Sequence, residues 1–313
     1  MVAPPPEQSF HPLAFILQHF RVSSWFTDFF SSPWLQRSLL AALIIGFTNG
    51  CFSAYVVLKR GALVAGSLSH ALLPGIVLGV LVAGKLTGWS SFLGALFAAL
   101  IVVLASVAVS RVSRLDQGTA LGVIFTVAFA AGLILFNYIP GEVKSQVKLE
   151  DYLFGDLLML DSTDVWVAFG VSVLTLTVCI ALQRTLLVTL FEPSVAAAQG
   201  VPVRAVQYLI MALLVLVMVS ALRAVGCMLS LGLVVAPGAT VFLLTNSTRA
   251  MFWGGGLLGA VSAVSGMIVA HVTNITAGAA ITAVLGAMFL LALVFSPKSG
   301  LISRKARAAR AAG

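Results

Sequence analysis

The sequence predicts an all-α fold, a polytopic transmembrane helical bundle of eight or nine spans, from three observations. Of 313 residues, 60% are apolar and 9% charged, and mean hydropathy is +1.09. A soluble domain carries about a quarter charged residues. Apolar runs of roughly 18–24 residues recur, each long enough to cross a bilayer. Strand-like alternation is absent, which selects helices over a barrel.

Residues 1–34 lack a basic n-region and an A-x-A site, so they are not read as a cleaved signal peptide. The mixture of Phe, Trp and Leu with His11, His19, Arg21 and Asp28 suits an external interfacial helix. The membrane domain runs from 35 to 300. Its apolar spans fall near 35–58, 61–83, 89–110, 119–138, 164–187, 205–222, 224–245, 251–271 and 278–296. The break at Arg223 is thin, so eight full crossings plus a short or re-entrant piece is the alternative. A basic tail, 301–313, closes the chain.

Basic residues set the orientation. With nine crossings and the C-terminus cytoplasmic, 12 of the 18 Lys and Arg face inward, among them Lys59, Arg60, Arg204 and the tail. The positive-inside rule favours this over its inverse. Topology thus accounts for the net charge of +8, and nucleic acid is not needed as a partner. Of the acids, only Asp116 and Glu192 fall inside. A negative outer mouth would concentrate cations or dock a basic partner; ordinary solvated loop charge explains it equally. The longest outer connection, 139–163, contains the amphipathic stretch KLEDYLFGDLLML. Cys51, Cys179 and Cys227 lie in apolar spans without CxxC spacing, so they read as small core residues.

His70 is the most informative residue. It sits inside an apolar span, where an ionisable group costs at least about 2.5 kcal/mol and usually serves a pathway, ligand or gate. Imidazole is also a good transition-metal ligand. Four residues later Pro74 cannot donate to the His70 carbonyl, and free backbone acceptors at that depth line protein-buried or watery space. Ser67, three residues before, is a possible hydrogen-bond neighbour. Ser69 points about 100° away from His70, so the pair does not make a nucleophile and its base.

A second intramembrane histidine, His271, shares a helix face with Asn274. The two could offer nitrogen and oxygen donors together, or be a boundary pair satisfied by water. Gly79 to Lys85 matches GxxxxGK, but Leu86 follows where Ser or Thr is required and no strand precedes it. Any ATP chemistry therefore belongs to another chain. In 191–204, Pro193 can open a short helix and Gly200 to Pro202 can close it, forming either a docking helix or a plain connector. Gly75-x-x-x-Gly79 and Gly255-x-x-x-Gly259 permit close helix approach.

Four stretches, VVLKRGALVAGSLSHALLPG (56–75), DYLFGDLL (151–158), FEPSVAAAQGVPV (191–203) and ALRAVGCMLSLGLVVAPGAT (221–240), resemble the permease subunit of bacterial manganese/zinc/iron ABC transporters. The resemblance extends by hydropathy from about residue 35 to FSPKSG at 295–300. It implies a homodimeric permease without catalysis or a resident cofactor, two cytoplasmic ATP-binding subunits and an external solute-binding protein. Cargo, a divalent Mn, Zn or Fe ion, would cross by alternating access. Phe191, Glu192, Pro193, Gly200 and Pro202 would belong to the coupling helix, and His70, His271 and Asn274 would contact metal. The chain departs from the pattern at Gly66, where an Asp is common one turn before the histidine, and at Asn274 and Thr276, where Asp and Pro are frequent. That shifts the donor set toward softer ions such as zinc or ferrous iron. A permease for a chelated metal or small cofactor, and an ion-gradient carrier, are the competing readings; no convincing inverted repeat supports the last.

Overall fold

The computed structural model describes residues 32–83, 88–113, 115–141, 155, 160, 162–273 and 275–296. Among them every regular element is a helix. In chain order these are α1 (Pro33–Leu58), α2 (Ala62–Ala83), α3 (Gly88–Ser113), α4 (Gln117–Phe136), α5 (Ser162–Ala181), α6 (Gln183–Phe191), α7 (Pro193–Ala198), α8 (Val203–Val225), α9 (Cys227–Leu244), α10 (Thr248–Thr273) and α11 (Ala277–Phe295). Eight are long and apolar enough to cross a membrane, and α9 adds a shorter apolar stretch, Ser230–Leu244. The expected N-terminal interfacial helix up to residue 31, most of the 139–163 connection and the basic tail lie outside the described residues.

Helix starts follow local chemistry. Pro33 opens α1, where its missing N–H removes nothing the first turn needs. Asp116 caps α4 by accepting from the Thr119 N–H at 3.0 Å, satisfying one of the orphan donors of the first turn.

Two expected boundaries move. Helix α8 runs through Arg223 and breaks at Gly226, whose φ is +84°; glycine reaches that left-handed region without steric cost. The fifth span, expected to continue to 187, ends at Ala181, and α6 starts afresh after Leu182 (φ −103°, ψ 15°). No Pro or Gly marks that joint in the sequence.

The bundle is built on α1, which packs against α10, α9 and α5. Gly46 and Gly50 of α1 oppose Gly259 and Gly255 of α10 so closely that a methyl on Gly46 would stand 2.6 Å from the Gly259 carbonyl oxygen. The pairing of 46 with 259 and 50 with 255 makes the two helices antiparallel. Gly75 and Gly79 meet α3 at Gly94 and Ser90 in the same manner. Both glycine pairs noted in the sequence therefore face helices, and Gly46, Gly50 and Gly94 supply the opposite surfaces. Gly232 of α9 faces Thr282 of α11, and Ser296 Oγ, just beyond α11, donates to the Leu243 carbonyl. Those levels make α9 parallel to α11, so α9 returns through the bundle after α8.

Candidate functional site

Helix α2 packs on α3, α4 and α9, and His70 lies at its contact with α4. The imidazole stacks on Phe125, with ring centroids 5.7 Å apart and 25° between planes. Phe129, one turn later, meets it edge-on at 6.0 Å and 78°. The next turn brings Gly132 onto Pro74. His70 and Pro74 therefore advance along α2 as Phe125, Phe129 and Gly132 advance along α4, which makes the helices parallel at this contact. The ring is half-buried, bracketed by the two phenylalanines without being enclosed.

Pro74 does not interrupt α2, which is continuous from Ala62 to Ala83. Ser67 is not the histidine's hydrogen-bond neighbour: its hydroxyl donates to the Leu63 carbonyl at 3.0 Å, and that of Ser69 donates to Gly66 at 2.7 Å. Both bond back one turn, the usual recourse of a hydroxyl on an apolar helix. A Cβ on Gly66 would meet only Leu231, at 3.5 Å; the position has room for the missing side chain.

His271 lies in the last turn of α10, whose partners are α1, α11 and α9. It belongs to a different part of the bundle from His70. Asn274 is outside the described residues. Among the described residues no group of three or more His, Cys, Asp or Glu side chains could hold a metal ion together.

Within the 191–204 segment, Pro193–Ala198 form α7. Pro193 occupies its first turn, and Glu192 stands at the N-cap with no side-chain cap bond. Gly200, at φ +78°, closes it with two bonds, from the Gly200 N–H to Ala197 (3.0 Å) and from Val201 to Ala196 (3.0 Å). This is a Schellman motif, in which a left-handed residue lets the last carbonyls be satisfied. Only Ala196 of α7 is buried. Phe191, the last residue of α6, and Val195 of α7 are 54% and 45% exposed, so the short helix and the joint before it present apolar side chains outward.

Sequence reasoning missed Phe125, Phe129 and Gly132. Helix α4 is apolar all round, so no polar face marks which side meets α2. It also missed the buried polar side chains of Thr48 and Asn49 in α1, whose Oγ1, Nδ2 and Oδ1 atoms have no hydrogen-bond partner among the described residues.

A multi-pass helical bundle with a histidine half-buried in one span and a short, largely exposed helix between two spans has the architecture of a transporter's membrane-spanning permease. Residues 31–296 match the model of the ABC 3 transport family, and the chain belongs to that family. It is 37% identical over 287 residues to the manganese transport system membrane protein MntC of Halalkalibacterium halodurans, covering 92% of this chain and 96% of that one. It is 32% identical to the manganese import system permease protein ScaB of Streptococcus gordonii, covering 87% and 95%. The structure described as PsaBC from Streptococcus pneumoniae in complex with Fab superposes with a TM-score of 0.81 at 29% identity, covering 91% of this chain and 99% of that one.

Proposed function

We propose that this chain is the permease of an ATP-driven importer that moves a divalent transition-metal ion into the cytoplasm by alternating access. Support for the cargo comes from the manganese transport named for MntC and ScaB, together with His70. The carrying observation is that imidazole, half-buried within a membrane span and bracketed by Phe125 and Phe129. A histidine kept at that depth is a functional group by default. His271 and Asn274 are the candidates for the outer gate.

ATP hydrolysis belongs to a separate cytoplasmic chain, two copies serving a permease homodimer. The GxxxxGK match begins near the C-terminal end of α2, with no strand before it to form a phosphate cradle. Helix α7 is the coupling element: Phe191 and Val195 would be gripped by the ATP-binding subunit, while Pro193 and Gly200 fix the helix's ends, Pro202 opens α8 directly after it and Glu192 sets its approach. A solute-binding protein delivers the ion from outside, and the positive-inside pattern supports a cytoplasmic side for α7 and the C-terminus.

Uptake by vesicles containing the permease, its ATP-binding subunit and the solute-binding protein tests this reading. Free Mn, Zn and Fe ions are supplied in parallel with their chelates. The expected result is ATP-dependent uptake of at least one free ion, lost in His70→Ala. Preference for the chelate would favour the competing cargo, and uptake undiminished by His70→Ala would remove the ligand role. Phe191→Ser with Val195→Ser should abolish retention of the ATP-binding subunit on affinity purification while leaving the permease monodisperse; normal retention would refute coupling through α7.

A further inference from the structure

Three helix ends converge where α1 turns into α2, and two adjoining cavities open between them. The first, of about 160 Å³, is lined by Lys59 of the α1–α2 turn, Val107 and Ser110 of α3, and Arg204, Gln207, Tyr208 and Met211 of α8. The second, of about 180 Å³, shares Lys59 and Met211 and is otherwise mostly apolar, its walls including Phe52, Val56, Val64 and Leu214. Arg60 stands at its rim.

The polar cavity is basic without compensation. Lys59 is half-buried, and the residues that line the cavity with it and Arg204 include no carboxylate. Desolvation lowers the pKa of Lys59 below the ordinary lysine value, the direction taken by a sheltered ammonium lacking a counter-charge. Two cations facing one cavity repel a divalent metal ion, so this is not the cargo's route. Arg204 also lies in the first turn of α8, where the helix dipole itself favours an anion.

Backbone geometry at the rim agrees. Arg60 has φ +54°, the one described non-glycine residue with a positive φ. It closes α1 with the same motif that Gly200 makes for α7: Arg60 N–H bonds Val57 at 3.0 Å and Gly61 N–H bonds Val56 at 2.8 Å. Glycine is the easy residue there, yet the position carries a guanidinium beside the cavity.

We propose that the paired cavities bind an anionic phospholipid of the inner leaflet. Its phosphate sits between Lys59 and Arg204, and the start of an acyl chain lies against Phe52, Val56, Val64 and Leu214. A cationic pocket and an apolar pocket joined at one lysine match an amphiphile, and neither cavity alone would select one. The level fits as well: the turn follows directly on the end of the α1 span, on the side where basic residues collect and anionic headgroups attract them.

The test uses the full-length permease in its assembled transporter, purified in detergent and titrated with phosphatidylglycerol, phosphatidylcholine or inorganic phosphate. Lipid retention is read by native mass spectrometry and stability by the thermal midpoint. Phosphatidylglycerol should be retained at least fivefold over phosphatidylcholine and should raise the midpoint. Lys59→Gln with Arg204→Gln should abolish that preference. Should the double variant fold poorly, Val64→Phe serves instead: it keeps both charges, fills the apolar cavity and should lose the same retention. Equal retention of the two lipids, an equal midpoint shift with inorganic phosphate alone, or unchanged selectivity in a folded variant would each overturn the assignment. None of these readouts depends on the cargo.

Discussion

Gly132 rests on Pro74 so closely that a methyl on the glycine would stand 2.7 Å from both Cα and Cβ of the proline. Proline's ring is fixed and its backbone cannot retreat without shifting α2, so the contact accepts no side chain at 132. One turn back along each helix are His70 and Phe129, which the same contact holds in register. Gly132→Leu should therefore pry α4 from α2, destabilising by about 1–3 kcal/mol as overpacking does. It should also reduce ion uptake, although residue 132 is no ligand. A thermal midpoint at the wild-type value would show that the helices separate freely.

His70→Phe distinguishes a ligand from a packing group. An aromatic ring at 70 can keep the stacking against Phe125 and the edge contact with Phe129, so the fold should survive with a midpoint within a few degrees of wild type. Phenylalanine offers no donor, and uptake should fall at least tenfold, equivalent to about 1.4 kcal/mol in barrier terms. Retained uptake would mean that the ring packs and does not conduct.

The spans were legible because membrane crossing imposes length and apolarity on the chain directly. Helix α7 was legible too, since Pro193 and Gly200 are residues whose backbone limits dictate where a short helix begins and ends. The break at Gly226 was misplaced to Arg223 because a charge is a weaker interruption than a glycine in the left-handed region. At the site, His70 announced itself by polarity against its surroundings, whereas Phe125, Phe129 and Gly132 are apolar residues on a uniformly apolar helix. Their role follows from which helix packs where, a tertiary fact without local signal. The kink at Leu182 has none either.

Asp116 links the start of α4 to pH. Its carboxylate accepts from the Thr119 N–H and hydroxyl, and those bonds hold its pKa below the ordinary aspartate value of 3.8. The folded pKa being depressed, the cap contributes fully above the unfolded value, about 3.9. It is lost as pH falls through the folded one. Exchange of the Thr119 amide, read by mass spectrometry and corrected for intrinsic rates, should be protected at neutral pH and deprotected in acid. Asp116→Ala should show the deprotected behaviour throughout. Protection that survives in the variant would mean that the first turn is held by packing instead.

Arg60 and Gly200 close α1 and α7 with the same pair of hydrogen bonds, at φ +54° and +78°, and substitutions there should act in opposite directions. The left-handed region costs a residue with a Cβ roughly 1–2 kcal/mol, and glycine none. Arg60→Gly removes that strain. Glycine's extra freedom in the unfolded chain offsets about 0.5–1 kcal/mol, leaving a gain of about 0.5 kcal/mol and a small rise in thermal midpoint. Gly200→Arg installs the strain at a position where no neighbour lies within 4 Å, so backbone conformation alone acts. It should lower the stability of the α7 turn by about 1 kcal/mol, read as faster exchange at the Val201 amide. If Arg60→Gly left the midpoint unchanged in lipid-free detergent, the turn would not hold the arginine in a left-handed conformation, and its strain would drop out as support for a built site beside Lys59.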